Sequence, residues 1–280
     1  MSHPRLGLPD LGFGIGLRTT HYRDLLADPA RAGFLEIISE NYLDSRGRPL
    51  EVLDRLAAAV PVVMHGVGMS IGGPEPLQRA YLRDLRRLRD RIGARWVSDH
   101  LCATGVAGLN THDLLPIPLN AAALDHVADR VRHVQDALGA PLVLENPSAY
   151  IAWRSSDIPE GEFLAELCRR TGCGLLVDVN NLYVCARNSG QDPGVWMDAI
   201  PWDHVVQFHV AGHTDRGDLC IDTHDQAVRD EVWDLLAQAW PRAGGASVLL
   251  ERDADIPPLA EVLAELDGAR RRLGAAEVVA

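Results

Sequence analysis

Eight short runs rich in apolar and β-branched residues recur along this chain. Between most of them lie stretches with apolar residues at three- and four-residue spacing, the period of an amphipathic helix. The runs are Phe13–Arg18, Phe34–Ser39, Val62–Gly66, Trp96–Leu101, Leu142–Pro147, Gly174–Asn180, Val205–Gly212 and Ser247–Asp253. The helical stretches include Leu50–Ala59, Pro76–Ile92, Ala121–Leu138, Gly161–Thr171 and Gln226–Ala239. Spacings of roughly 20–45 residues suit repeated βα units. Eight such units predict an α/β fold, a closed (β/α)8 TIM barrel. An open doubly wound sheet is the rival. It wants a GxGxxG after its first strand, and FGIGLRTTH supplies only Gly14 and Gly16. No Ser/Gly-rich linker divides the chain, so a single domain is expected over residues 1–280, with the barrel at about 12–253 and a final helix at about 257–273.

Hydrophobic residues make up 47% of the chain, ample for a large core, yet no apolar run approaches the roughly 20 residues that span a bilayer. MSHPRLGLPDLG lacks a basic region followed by an apolar one. A cytoplasmic protein without membrane contact is expected. The net charge of −12 disfavours nucleic acid as a partner. The arginine cluster from Arg79 to Arg95 is interleaved with Asp84 and Asp90 and reads as a solvated helix face. All 27 basic residues are Arg, so lysine Schiff-base chemistry is excluded. Five cysteines without a CxxC pair disfavour a disulfide framework or a structural zinc site.

Barrel active sites sit at the C-terminal ends of the strands. There strand three carries His65, strand four His100, strand five Glu145, strand six Asp178, strand seven His209 and strand eight Glu251. Two residues before each, on the same face, stand Val63, Ser98, Val143, Leu176, Gln207 and Leu249, as a barrel interior requires. The six are expected to point inward at nearly one height, with Asp99 turned away from His100 as a residue that either supports the ligands or caps backbone. Three carboxylates in one confined space repel each other and lose hydration, at a cost that calls for cations. No Lys can supply one, and Arg252 is out of phase with Glu251. Mixed imidazole and carboxylate without thiolate suits iron, manganese or catalytic zinc. Further ligands are available in Asn181, on the loop after Asp178, and in the Asp222-x-His224 pair, with His213 nearby. His126 and His133 read as surface residues of one helix, His204 lies at the wrong barrel end, His3 in a tail, and His21 and His112 at loops or helix starts.

These motifs occur in a fixed order: IISENY at Ile37–Tyr42, MHG at Met64–Gly66, SDHL at Ser98–Leu101, LENP at Leu144–Pro147, DVNNLYV at Asp178–Val184, FHVAGH at Phe208–His213, DTH at Asp222–His224 and LLER at Leu249–Arg252. The series resembles the multinuclear non-haem iron-dependent oxidative enzymes, the family of the methanobactin-biosynthesis oxidase, from about Gly12 to Arg252. The resemblance implies a xylose-isomerase-like barrel. It implies His65, His100, Glu145, Asp178, His209 and Glu251 as a di-iron site, and Asn181, Asp222 and His224 as a third iron position. Glu40, Asn146 and His213 would support these ligands, and no catalytic residue beyond the ligands is implied.

It further implies two or three iron ions in mixed Fe2+/Fe3+ states and dioxygen as co-substrate. The substrate would be a Cys-containing precursor peptide made on the ribosome, commonly presented by a partner protein. The mechanism implied has the cysteine thiolate on a ferric ion while dioxygen, activated at a ferrous neighbour, takes a hydrogen from the cysteine β-carbon. Two rivals stand beside it. A sugar isomerase or phosphodiesterase on the same barrel would use divalent metals, though an isomerase typically wants a lysine. A non-catalytic iron-binding protein would leave so many ligands at the catalytic face unexplained.

Overall fold

The computed structural model describes residues 4–274, so His3 lies outside the described residues. Eight parallel strands close into a barrel in the order β1-β8-β7-β6-β5-β4-β3-β2. They are β1 Phe13–Gly16, β2 Phe34–Ile38, β3 Val62–Gly66, β4 Val97–His100, β5 Leu142–Glu145, β6 Gly174–Asp178, β7 Val205–Val210 and β8 Ser247–Leu250. Each expected run holds one strand. The five predicted helical stretches overlap Arg48–Ala57, Arg79–Ile92, Ala121–Leu138, Glu160–Thr171 and Asp230–Ala239, the first starting two residues and the fourth one residue before the expected bounds, and Leu259–Leu273 follows the barrel. No described helix is long and apolar enough to cross a membrane. The arginines of Arg79–Ile92 bond outward, Arg91 to Asp54 and Arg89 to Asp90 and Leu138 O.

Strands in such a barrel are buried on both faces, which is why they read as nearly continuous apolar runs. Outward residues such as Leu35, Met64 and Leu144 join the helices in the main core. Inward, Phe34, Val63, Trp96, Val143, Leu176, Val206 and Leu249 form a plug across the barrel axis, closed from below by Leu8 and Leu11. Polar side chains above that plug face a dry floor.

β1 contributes no bulk to the plug. A Cβ on Gly14 would meet Phe34 Cδ1 at 2.5 Å and the Phe34 carbonyl oxygen at 2.6 Å. Backbone cannot rotate away as a side chain can. Gly14→Ala is therefore expected to destabilise by about 1–3 kcal/mol, the usual range for overpacking. A lower urea midpoint at unchanged m-value would register it; an unmoved midpoint would contradict the close approach.

Two β-hairpins leave the barrel at the C-terminal end, where the sequence signalled no strands. The first joins Ala103–Val106 to Leu109–Leu115 after β4, and the second joins Thr214–Asp215 to Cys220–Ile221 after β7. His112 lies in the first hairpin. His204 sits at the β7 entrance with Nδ1 on Cys173 O, and His21 is buried with Nε2 on Pro257 O. Cys102, Cys168, Cys173 and Cys220 are buried, and Cys185 is half-buried.

Candidate metal centre

Strand register decides which strand-end residues meet. His100 is level with Glu145, and Asp178 with His209. His65 is level with Ser98, two residues short of His100, and Glu251 stands two residues beyond Leu249, the neighbour of His209. The ligand candidates thus climb a staircase and do not share one height. Tilted strands make it so, and the tilt brings the steps together at the axis.

His65, His100 and Glu145 form one buried group, with the imidazole Nε2 atoms 3.2 and 3.3 Å from Glu145 Oε2. The outer ring nitrogens fix the tautomers. His100 Nδ1 lies 3.1 Å from Gly66 O, which can only accept. Ser98 gives its hydrogen to Met64 O, so His65 Nδ1 donates to Ser98 Oγ at 2.8 Å. Both Nε2 lone pairs then face a carboxylate oxygen that itself has no hydrogen-bond donor. A protonated Glu145 would offer one hydrogen to two nitrogens. A cation satisfies all three.

His209 is oriented the other way. Its Nε2 donates to Glu36 at 3.0 Å, leaving Nδ1 at 3.0 Å from Glu251 Oε2 and 3.7 Å from Glu145 Oε1. Glu36 was not among the residues expected from the sequence, yet it is 3% exposed and points inward above Phe34. Gln207 Nε2 donates to it at 2.7 Å, and Trp96 Nε1 donates in turn to Gln207 Oε1. A carboxylate holding the far nitrogen of a ligating imidazole fixes ring orientation and raises basicity. Glu36→Gln is expected to weaken metal binding by about 10–100-fold while the fold stays intact. Competition with a metallochromic chelator measures this; unchanged affinity would remove Glu36 from the centre.

Asp178 terminates β6 and caps the helix Val179–Ser189, taking the Asn181 N–H on Oδ1 at 2.6 Å. Asn181 therefore belongs to the first turn of that helix, where a loop had been expected. Asn146 pairs with both backbone groups of Asp178, at 2.9 and 3.1 Å, and locks its orientation. Asp178 Oδ2 and Asn181 Oδ1 remain buried without hydrogen-bond partners. His224 brings Nε2 to 2.7 Å from Asp222 Oδ1 and 4.0 Å from Asp178 Oδ2, with Nδ1 3.2 Å from Glu251 Oε2. It does so with a φ of +49°, a left-handed conformation rare for a histidine and typical of constrained sites. Asn180 Nδ2 donates to Asp222, and His213, stacked on Tyr183, donates from Nδ1 to Asn180 Oδ1.

One other expectation needs amending. Glu40 touches none of these groups. It accepts from Val67 N, Gly68 N and the Tyr81 hydroxyl, and so pins the loop after β3. Asp99 turns away from the centre as anticipated and caps the His100 and Met69 N–H groups. Arg252 is out of phase with Glu251, as expected, and the cation at the rim is Arg18. Arg252 points outward to Glu265, whereas the Arg18 guanidinium fills the space beside Gly16 and pairs with Asp253 at 2.5 Å.

Burial sets the electrostatics, and neighbours modify it. Burial, reinforced by neighbouring imidazoles, holds His65 well below its ordinary range and, despite Glu251, His100 at about 4. Burial pushes Glu145 far up despite His209, and Asp178 up to about 7 despite His224. At His209 and His224 burial favours the neutral form, but the surrounding carboxylates outweigh it and both are raised. Glu251, burial notwithstanding, is held well below the usual carboxylate range by those two imidazoles. Shifts of this kind cluster where a fold concentrates charge for binding or chemistry.

Comparison with known proteins places this arrangement. The sequence model for the RiPP precursor modification enzymes MbnB/TglH/ChrH matches residues 12–273. A UPF0276 protein of Caulobacter vibrioides is 49% identical over 265 residues, covering 94% of this chain and 95% of its own. Another, from an Anaeromyxobacter species, is 47% identical over 255 residues, 91% and 90% of the two chains. Among solved structures, D-psicose 3-epimerase of Clostridium cellulolyticum superposes with a TM-score of 0.65 at 12% identity, over 94% of this chain and 99% of its own. Endonuclease IV of Thermus thermophilus gives 0.63 at 17%, over 96% and 100%. A xylose isomerase domain protein of Alicyclobacillus acidocaldarius gives 0.60 at 16%, over 94% and 99%. Identities that low speak to the barrel alone.

Proposed function

This chain belongs to the family of RiPP precursor modification enzymes MbnB/TglH/ChrH, and from that membership we propose that it oxidises cysteine residues of a ribosomally made precursor peptide at a multinuclear iron centre, using dioxygen. One observation carries the metal part. Nε2 of His65, Nε2 of His100 and Oε2 of Glu145 converge in a buried space, each with its lone pair facing inward. The orphaned oxygens of Asp178 and Asn181 extend that pattern to the other side of Glu145.

The donor set fits iron: imidazole nitrogens and carboxylate oxygens, no thiolate, and more ligands than one ion needs. His65, His100 and Glu145 would hold one ion, and Glu145, Asp178 and His209 a second. Asp178, His224 and Glu251, with Asn181 and Asp222 beside them, would hold a third. Iron bound there supplies one-electron chemistry and coordination positions for oxygen and a thiolate. The chain itself holds and orients. Ser98 and Gly66 O set the tautomers of His65 and His100, Glu36 sets that of His209, and Asn146 fixes the Asp178 carboxylate. The apolar plug beneath keeps water from entering along the axis.

Anaerobic loading with ferrous iron followed by exposure to air and a candidate Cys-containing precursor peptide tests the reading. At least two irons per chain and an oxygen-dependent change in peptide mass are expected. No more than one metal per chain after careful loading would count against it. Turnover supported by zinc or manganese without oxygen would move the chain to the isomerase or phosphodiesterase class.

A further inference from the structure

Exposed apolar side chains are unevenly placed. Eight large ones are exposed among the described residues, and only Val195, on the helix Pro193–Ala199 that returns toward β7, lies away from the loops following barrel strands. Val106 and Leu109 (72% exposed) tip the first hairpin after β4. Tyr150, Ile151 (61%) and Trp153 (47%) stand in the 147–158 loop after β5. Val67 and Leu219 flank them on the loops after β3 and β7. The opposite arc of the rim, after β8 and β1, presents the Arg18–Asp253 ion pair instead. The mouth has an apolar side and a charged side.

The apolar side is held in place. Trp153 Nε1 donates to Pro116 O at 2.8 Å, and the Asp157 and Ile158 N–H groups donate to Leu119 O. Leu119 N donates back to Ser156 Oγ at 3.0 Å. Fixed aromatic surface with no core beneath it is unfavourable in water and marks a binding surface. It also adjoins the centre directly: the Tyr150 hydroxyl accepts the Asp222 N–H at 2.8 Å, and Asp222 touches His224. Whatever lies on this wall reaches the ligand loop within a residue or two.

We propose that the 147–158 loop and the tip of the first hairpin seat the apolar residues that flank the modified cysteine in the precursor peptide, with Ile151 and Trp153 as specificity-determining contacts. This rests on the peptide-modifying reading above. Charge argues against an acidic flank, which Asp222, Asp225 and Asp253 in a chain of net charge −12 would repel, and the exposed Leu109, Ile151 and Trp153 match an apolar one. Continuity with the ligand loop argues for the substrate over a second copy of this chain, which would seal the mouth.

Two fluorescein-labelled synthetic peptides, each with one cysteine, test this by anisotropy under nitrogen. One flanks the cysteine with Phe and Leu, the other with Asp and Ser. The first is expected to bind at least about tenfold tighter, and Ile151→Asp and Trp153→Ala are each expected to erase most of that preference, as loss of an aromatic anchor typically does. Val195→Asp, off the rim, should leave it unchanged. Equal affinities, no binding by either peptide, or a preference that survives both substitutions would overturn the proposal. So would a dimer in light scattering that Trp153→Ala dissociates. Binding is read separately from iron content, so loss of the metal assignment would appear as an iron-free protein that still discriminates the peptides.

Discussion

Glu145→Gln is expected to reduce bound metal from at least two ions per chain to at most one and to abolish oxidation of the peptide. Its two oxygens face different partners: Oε2 faces His65 and His100, and Oε1 faces His209 and Asn181. It belongs to two of the four groupings able to hold an ion, so one substitution damages both. Removing a mere supporting partner costs about 10–100-fold in metal affinity, and a shared ligand should exceed that. Elemental analysis after iron loading, with circular dichroism to confirm the fold, reads it out. Full metal content in the variant would mean the ions sit elsewhere.

Stripping the metal with a chelator should lower the melting temperature substantially. Ions present at about a thousand times their dissociation constant stabilise the native state by roughly 4 kcal/mol. For a chain of this size that corresponds to a drop on the order of 10 °C. The same geometry predicts a reversal of sign. Metal-loaded Glu145→Gln should melt below metal-loaded wild type, whereas metal-stripped Glu145→Gln should melt above stripped wild type. An amide nitrogen carries two hydrogens for the two imidazole Nε2 atoms that face it, whereas a protonated Glu145 has one hydrogen for both. Calorimetry of the four samples decides. A stripped wild type as stable as the loaded protein would show that these side chains need no cation.

The two rim substitutions and Glu36→Gln separate functions that fall together at the centre. Glu36 acts through His209 and should alter metal affinity without touching peptide preference. Ile151 and Trp153 should do the reverse. Gly14→Ala affects neither and reports on the barrel alone.

Period and spacing in the sequence determined the barrel, because a strand buried on both faces must be written as an apolar run and its connections as amphipathic helices. The same alternation put His65, His100, Glu145, Asp178, His209 and Glu251 at inward strand ends, and the structure gathers those side chains around one buried space. Glu36 escaped notice because it sits in mid-strand, within FLEIIS, and nothing local marks it. Strand tilt raises the middle of β2 beside the end of β7, and that register is a property of the closed sheet and not of either segment. The place of Arg18 at the rim was equally hidden: Gly16 leaves a space that its guanidinium fills, and its partner Asp253 comes from the far end of the chain. The hairpin and loop that carry the apolar wall were equally illegible, since exposed residues in irregular segments obey no period. Composition and alternation fix which way a side chain faces; only closure of the barrel fixes which others it meets.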